Sequence, residues 1–340
     1  MVCFPSNYNI ANMLARRVNR RTAFCLFFAI PTFFIFSWNS FCGLHFAPFS
    51  QRCEGCFNSE GKRENEPANE TGEAELEKTE NKGRTFELKT TLITNTTCSQ
   101  HYFLLILVSS APSNFQRRRD IRRTWGVDTA LAPRWKTVFL VAQSRAKETT
   151  ESLLREHSSY RDLLQGDYID HYWNQTLKIQ MGFEWAVRYC NFTFLLKMDD
   201  DTFVHTKRLI SVLSTFSSEQ LYLGMLWEKP LVKRGKEKWT ISYEEYNKTL
   251  YPDFCPGFGF VLTFDVVNTF VDLFDDVPLF RFDDVYVGML AERAGVNGTF
   301  HPGFRQYPSP PQVPCSVDET VFVWHDITGD CLLKLFEDTF

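Results

Sequence analysis

Short apolar runs alternate with stretches of helical spacing through the later part of the chain. Tyr102 to Val108 (YFLLILV), Thr137 to Ala142 (TVFLVA) and Phe192 to Met198 (FTFLLKM) have the length and the branched or aromatic content of strands buried on both faces. Between them, Arg145 to His157 and Thr176 to Tyr189 carry apolar residues at helical spacing, with Leu177, Met181, Trp185 and Val187 as inward positions of the second, and Thr206 to Phe216 predicts a further helix. Strands separated by helices predict an α/β fold: a mostly parallel sheet with helices on both faces. No internal repeat is visible.

The N-terminal pattern is different. From Thr22 to Leu44 no acid or base occurs other than cysteine, and at 1.5 Å rise per residue this stretch spans a hydrocarbon core of about 30 Å. Pro31 kinks it, and Asn39 and Ser40 weaken its far end. Arg16, Arg17, Arg20 and Arg21 precede it with no acid from Met1 onward, so the positive-inside rule keeps the N-terminus cytoplasmic and sends the rest across the membrane. The expectation is a type II single-pass protein: tail 1–21, transmembrane signal-anchor 22–44, luminal stem 45–97 and catalytic domain 98–340. A cleaved signal peptide is the alternative, and it delivers the same bulk to the lumen.

Composition supports this division. Asn58 to Glu80 holds eight Glu, three basic residues and almost no large apolar side chain, so it cannot bury enough surface to offset its ordering entropy and reads as a disordered, acidic stem. Six Asn-x-Ser/Thr acceptors, at Asn69, Asn95, Asn174, Asn191, Asn247 and Asn297, all lie beyond the apolar run. Of the ten cysteines, the last five (Cys98, Cys190, Cys255, Cys315, Cys331) allow two bridges and one spare thiol in an oxidising lumen, in a pairing that sequence does not specify. In the Cys53/Cys56 pair a disulfide is preferred to zinc, because no second ligand pair is near. Lys+Arg of 37 against Asp+Glu of 41 leaves a formal charge of −4, which excludes a global electrostatic case for nucleic-acid binding. An anionic ligand must be held locally.

Four groups can do chemistry. Asp199, Asp200 and Asp201 follow a buried strand directly, where open α/β sheets bind ligands. Three adjacent carboxylates call for solvent or a hard divalent cation, and in extended chain Asp199 and Asp201 face one way while Asp200 faces the other. Five Arg in the seven residues Arg117 to Arg123 make a local anion site, or a solvated basic helix face. Tyr251 to Phe260 (YPDFCPGFGF) predicts a tight turn near which a ring-shaped ligand can approach the main chain. Asp283 and Asp284 begin an apolar helix reaching about Ala294; they either cap it or supply a general base.

Taken together these groups resemble the Golgi β1,3-glycosyltransferase family, which includes β1,3-galactosyltransferases and β1,3-N-acetylglucosaminyltransferases. The resemblance is carried by RRRDIRRTWG (Arg117 to Gly126), LLQGDYIDHYWNQTLK (Leu163 to Lys178), FLLKMDDDTFV (Phe194 to Val204), KWTISYEEY (Lys238 to Tyr246), YPDFCPGFGFVLT (Tyr251 to Thr263) and DDVYVG (Asp283 to Gly288), in the family's order. It implies a GT-A-type, Rossmann-like fold, a UDP-sugar donor, Mn²⁺ or Mg²⁺, and inversion at the anomeric carbon. Asp199 and Asp201 match the family's metal-bridging acids, with Asp200 and the guanidinium groups of Arg118, Arg119 and Arg122 expected at the nucleotide. Asp284 matches the family's base, with Asp283 second. His325, in FVWHD, resembles a histidine that completes the metal site, or is structural. Asp283 stands where many members have Glu, and Phe260 where many have Tyr. Trp173, Trp227 and Trp239 offer flat faces for sugar rings, or belong to the core. The resemblance thus implies transfer of galactose from UDP-galactose to the 3-hydroxyl of a glycoprotein or glycolipid glycan at the Golgi membrane. Transfer of N-acetylglucosamine is the alternative, and a catalytically silent lectin-like or chaperone protein the remote one.

Overall fold

The computed structural model describes residues 90–92, 98, 100–306, 315, 316 and 318–339. The expected tail and membrane anchor, and the stem apart from residues 90–92, lie outside them. Among the described residues no helix is long and apolar enough to cross a membrane.

In chain order the elements are β1 (Thr90–Leu92), β2 (His101–Ser109), α1 (Phe115–Arg123), β3 (Trp135–Gln143), α2 (Lys147–Tyr160), β4 (Leu163–Ile169), a 3₁₀ turn (Tyr172–Asn174), α3 (Gln175–Tyr189), β5 (Asn191–Asp199), β6 (Thr202–Val204), α4 (Thr206–Leu213), β7 (Tyr222–Gly224), β8 (Gly259–Thr263), α5 (Phe264–Asp272), α6 (Asp283–Ala294), β9 (Gly298–Phe300), β10 (Phe304–Arg305), β11 (Val323–His325) and α7 (Gly329–Thr339). The main sheet runs β1-β4-β3-β2-β5-β8-β7-β9, and β10-β11-β6 form a smaller one. Strands β4, β3, β2 and β5 are parallel; β8 joins antiparallel to β5, so the sheet is mixed beyond its parallel centre. Strand β1, antiparallel to β4, falls within the segment expected to be stem.

The alternation of side chains along β2 builds both layers. Leu105 and Leu107 join Leu195, Leu262 and the inner faces of α3, α5 and α6 in one core. Leu104, Ile106 and Val108 join Leu196, Val261 and residues of α4 and α7 in the other. Helix α3 sits so close to the sheet that a Cβ on Gly182 would stand 2.7 Å from Leu140 Cδ1, which is why no larger residue fits there. Cys98 bonds to Cys190, tying the chain ahead of β2 to the end of α3, and Cys315 bonds to Cys331. Cys255 is the spare thiol, and burial pushes it up to about 12. It is inert at neutral pH.

Candidate active site

Asp199 closes β5 in register with Ser109 at the end of β2. The carboxyl ends of the four parallel strands thus meet the aspartate triplet along one edge of the sheet. Two cavities with no lining residue in common lie along that edge and form the larger and smaller parts of the candidate site. The larger part, about 850 Å³, is lined by Ser113, Gln143, Arg145, Asp170, His171 and Asn174 from the loops after β2, β3 and β4. That volume suits a small polar ligand. The smaller part, about 160 Å³, is lined by Asp199, Asp283, Asp284, Gln306 and His325. The 3₁₀ turn stands between the two, with Asn174 lining the first and Tyr172 the second.

Two of the three carboxylates around the smaller part are held by a buried lysine. Lys197 is fully inaccessible, and its Nζ donates to Asp283 Oδ2 at 2.7 Å, Gly257 O at 2.8 Å and Asp199 Oδ1 at 3.2 Å. Burial alone would lower its pKa. The Asp199 and Asp283 charges outweigh that and hold it above the ordinary lysine range. The tight turn foreseen around Gly257 is the scaffold for this arrangement. A Cβ there would stand 3.2 Å from Lys197 Nζ, so a side chain would press on the ammonium. The Gly257 N–H points to Asp284 Oδ2 at 3.4 Å, and the Val285 N–H donates to Asp284 Oδ1 at 2.8 Å.

Desolvation, reinforced by the neighbouring Asp283 charge, pushes Asp284 up to about 7. Asp199 is likewise raised by burial and by Asp283 and Asp201, against the pull of Lys197. Its side chain remains 37% exposed, so water tempers the effect. Two carboxylates of one crevice therefore hold protons more readily than free carboxylates, while Asp283 is held against an ammonium.

Asp201 and His325 meet on the other side of Asp199. His325 Nδ1 lies 2.9 Å from the Gln306 carbonyl, which can only accept, so Nδ1 carries a proton; an uncharged ring then has its lone pair on Nε2. That Nε2 is 3.6 Å from Asp201 Oδ1, a buried oxygen with no hydrogen-bond partner. Two acceptors facing each other invite a proton or a cation between them. Oxygen and imidazole donors fit Mn²⁺ or Mg²⁺. Among the described residues, no group of three His, Cys, Asp or Glu side chains is gathered closely enough to hold a metal ion unaided, so a cation between Asp201 and His325 would need further ligands.

The remaining expected site residues are placed differently. Asp200 is buried and accepts from Ser110 Oγ at 2.7 Å, Asn114 Nδ2 at 2.9 Å and Arg117 Nη1 at 2.7 Å, so it braces the loop before α1 instead of facing a nucleotide. Arg118 and Arg122, expected to grip phosphate, face inward instead. Arg118 is fully buried and donates to Glu156 at 2.8 and 2.7 Å, while Arg122 reaches Glu156 at 2.7 Å and Asp162 at 2.7 Å. Burial would raise Glu156; the two guanidinium groups hold it below its ordinary range. Arg119 is exposed. Of the three tryptophans, Trp239 is 45% exposed at the mouth of the smaller part, whereas Trp173 and Trp227 pack on the core.

Sequence reasoning missed Lys197 and Arg117. The signal for the first was a single cation inside an otherwise apolar strand, immediately before three acids. For Arg117, whose Nη1 also contacts Asp201 at 3.3 Å, the arginine run offered nothing to separate it from its neighbours.

A family model described as Galactosyltransferase matches residues 116–301. The β1,3-galactosyltransferase 5 of Pan paniscus is 33% identical over 213 residues, covering 59% of this chain and 70% of that protein. The human lactosylceramide 1,3-N-acetyl-β-D-glucosaminyltransferase is 33% identical over 232 residues, covering 64% and 61%. A crystal structure of mouse xyloside xylosyltransferase 1 in its apo form aligns at a TM-score of 0.34 with 10% identity, over 68% of this chain and 98% of that one.

Proposed function

The chain belongs to the galactosyltransferase family, and on that premise we propose that it is an inverting β1,3-glycosyltransferase of GT-A-type fold using UDP-galactose. The acceptor is the 3-hydroxyl of a sugar on a glycoprotein or glycolipid glycan. Relatives named for galactose and for N-acetylglucosamine transfer stand at the same identity, so N-acetylglucosamine is the competing donor. The type II Golgi topology is part of the same proposal and rests on the charge and apolar pattern of residues 1–44.

The observation that carries this reading is the meeting of Asp199, Asp283 and Asp284 in one crevice at the carboxyl edge of a parallel sheet. In the proposed mechanism the nucleotide occupies the larger part, among Ser113, Gln143, Arg145 and Asp170, and the sugar lies toward Asp284. Asp199, Asp201 and His325 would hold Mn²⁺ or Mg²⁺. When bound, the cation offsets the charge that builds on the departing diphosphate. Asp284 takes the proton from the acceptor hydroxyl as that oxygen attacks the anomeric carbon from the face opposite the leaving group, which yields inversion. Its raised proton affinity suits that task at neutral pH. Asp283, neutralised by Lys197, fixes the first turn of α6 that presents Asp284. Tyr172 and Trp239 at the mouth supply flat faces for the acceptor ring.

The test is incubation of the purified full chain with a terminal-galactose or N-acetylglucosamine acceptor, Mn²⁺ and either UDP-galactose or UDP-N-acetylglucosamine. A β1,3-linked product from UDP-galactose is expected. Exclusive use of UDP-N-acetylglucosamine replaces the donor assignment, and no product from either sugar removes the enzyme reading.

A further inference from the structure

A further cavity, of about 390 Å³, lies along α6 and shares no lining residue with the acidic crevice. Gly288, Ala291 and Glu292 of the helix, Tyr246 and Tyr251 of the preceding loop, and Asn297 line it. It combines aromatic rings with charged rims, since Lys248 and Glu292 pair across it at 3.7 Å. Rings below and hydrogen-bonding groups around the edge are what a pyranose requires.

Asn297 opens the sequence Asn-Gly-Thr, the acceptor pattern for an N-linked glycan. Both Asn297 and Thr299 are exposed. The strand that follows, β9, is the last of the main sheet: it pairs with β7 and, among the described residues, with nothing on its other side. Phe300 on this strand is 58% exposed. An open edge with an exposed aromatic residue is a template for strand-to-strand association, which folded proteins cover or blunt. Asn174 offers a contrast. It lines the larger crevice, so a glycan there would obstruct the site.

We propose that Asn297 is N-glycosylated, that the innermost N-acetylglucosamine seats in the cavity beside α6, and that the outer glycan covers the open edge at β9. In the transfer, C1 of a lipid-diphosphate-linked oligosaccharide forms a bond to Asn297 Nδ2. The bond from C1 to the diphosphate oxygen breaks, the diphosphate leaves with the electron pair, and the amide gives up one proton. The inference rests on the luminal placement in the proposed function, because only there does the chain meet that donor. The seated sugar would brace the helix whose first turn carries Asp283 and Asp284.

The experiment expresses the full chain in a eukaryotic secretory host, releases glycans with peptide N-glycosidase in H₂¹⁸O, and maps the labelled asparagines by mass spectrometry. Asn297 is expected to be labelled in most molecules. A bare Asn297 beside labelled Asn191 or Asn247 overturns the proposal while leaving the luminal placement intact; no label anywhere removes both. Asn297→Gln and Thr299→Ala each abolish the acceptor by a different side chain. Both should lower Tm by about 2–4 °C, the shift that 1 kcal/mol produces in a domain of this size. Trimming the wild-type glycan to its first sugar should leave Tm unchanged. A fall on trimming as large as in the two variants overturns the seating of that sugar in the cavity.

Discussion

Lys197 Nζ stands 2.7 Å from Asp283 Oδ2, joining the end of the central strand β5 to the first turn of α6 across 86 positions of sequence. The same ammonium reaches Asp199 at 3.2 Å, and the lysine is wholly inaccessible to water. Without it, two carboxylates proposed for different tasks would repel one another at close range. With it, one stays beside the proposed cation site and the other anchors the helix that carries Asp284. The crevice thus has an internal positive charge of its own.

Lys197→Met should therefore be costly in a way a core substitution is not. Removing one partner of a buried ion pair leaves the others uncompensated, at about 3–5 kcal/mol. Urea denaturation at pH 7.5 is expected to show a clear drop in midpoint, narrowing toward pH 5 as Asp199 takes up a proton. An unchanged midpoint at pH 7.5 would show that solvent, not Lys197, balances those acids.

Asp283 and Asp284 are adjacent but unequal. Asp283 is committed to an ammonium, whereas Asp284 accepts from backbone N–H groups and is raised to about 7. Asp284→Asn should lower kcat by about 10²–10⁴-fold, the usual worth of a general base, with the donor KM little altered. Asp283→Asn should act chiefly through stability and the orientation of α6. If kinetics instead find the larger kcat loss at Asp283, the base has been assigned to the wrong neighbour.

The shift at Asp284 also fixes the sign of two pH dependences. For catalysis, kcat/KM should climb as pH rises through about 7 and then level off, because the base works unprotonated. For stability, a folded pKa above the unfolded value near 3.9 means that the contribution is full below pH of about 4 and is lost as pH rises toward 7. Asp284→Asn should accordingly gain on wild type at pH 8 and match it at pH 3.5. Thermal melts at the two pH values settle the matter: an advantage confined to acid would reverse the argument.

Much of this was legible in the chain because buried parallel strands are written as unbroken apolar runs. YFLLILV, TVFLVA and FTFLLKM became β2, β3 and β5 with ends moved by one or two residues. The acids at the end of β5 were equally visible. What could not be read was which partner each charge would meet. Arg118 and Arg122 find Glu156 and Asp162 about forty residues away, and a basic run looks the same whether it faces phosphate or its own fold. Strand β8 was hidden in GFGFVLT, where two glycines announced the turn but not the antiparallel strand leaving it. Strands β6, β10 and β11 are too short to have a period, yet β11 is what carries His325 to Asp201.

That placement of His325 yields the last expectation. With Nδ1 donating to Gln306, Nε2 and the unpartnered Asp201 Oδ1 confront each other as two acceptors, an arrangement that favours a cation over an empty gap. Mn²⁺ should bind the full chain measurably better when UDP is present, because phosphate oxygens complete a ligand set that the protein leaves short. Asp201→Ala should abolish this mutual enhancement, and His325→Ala should weaken it by about 10- to 100-fold, a range drawn from the loss of residues that support a metal. Calorimetric titration of Mn²⁺ with and without UDP reads the coupling directly, without turnover. Equal Mn²⁺ affinity in wild type and Asp201→Ala would mean that Arg117, at 3.3 Å from Asp201, supplies the positive charge there and that no cation is held between Asp201 and His325.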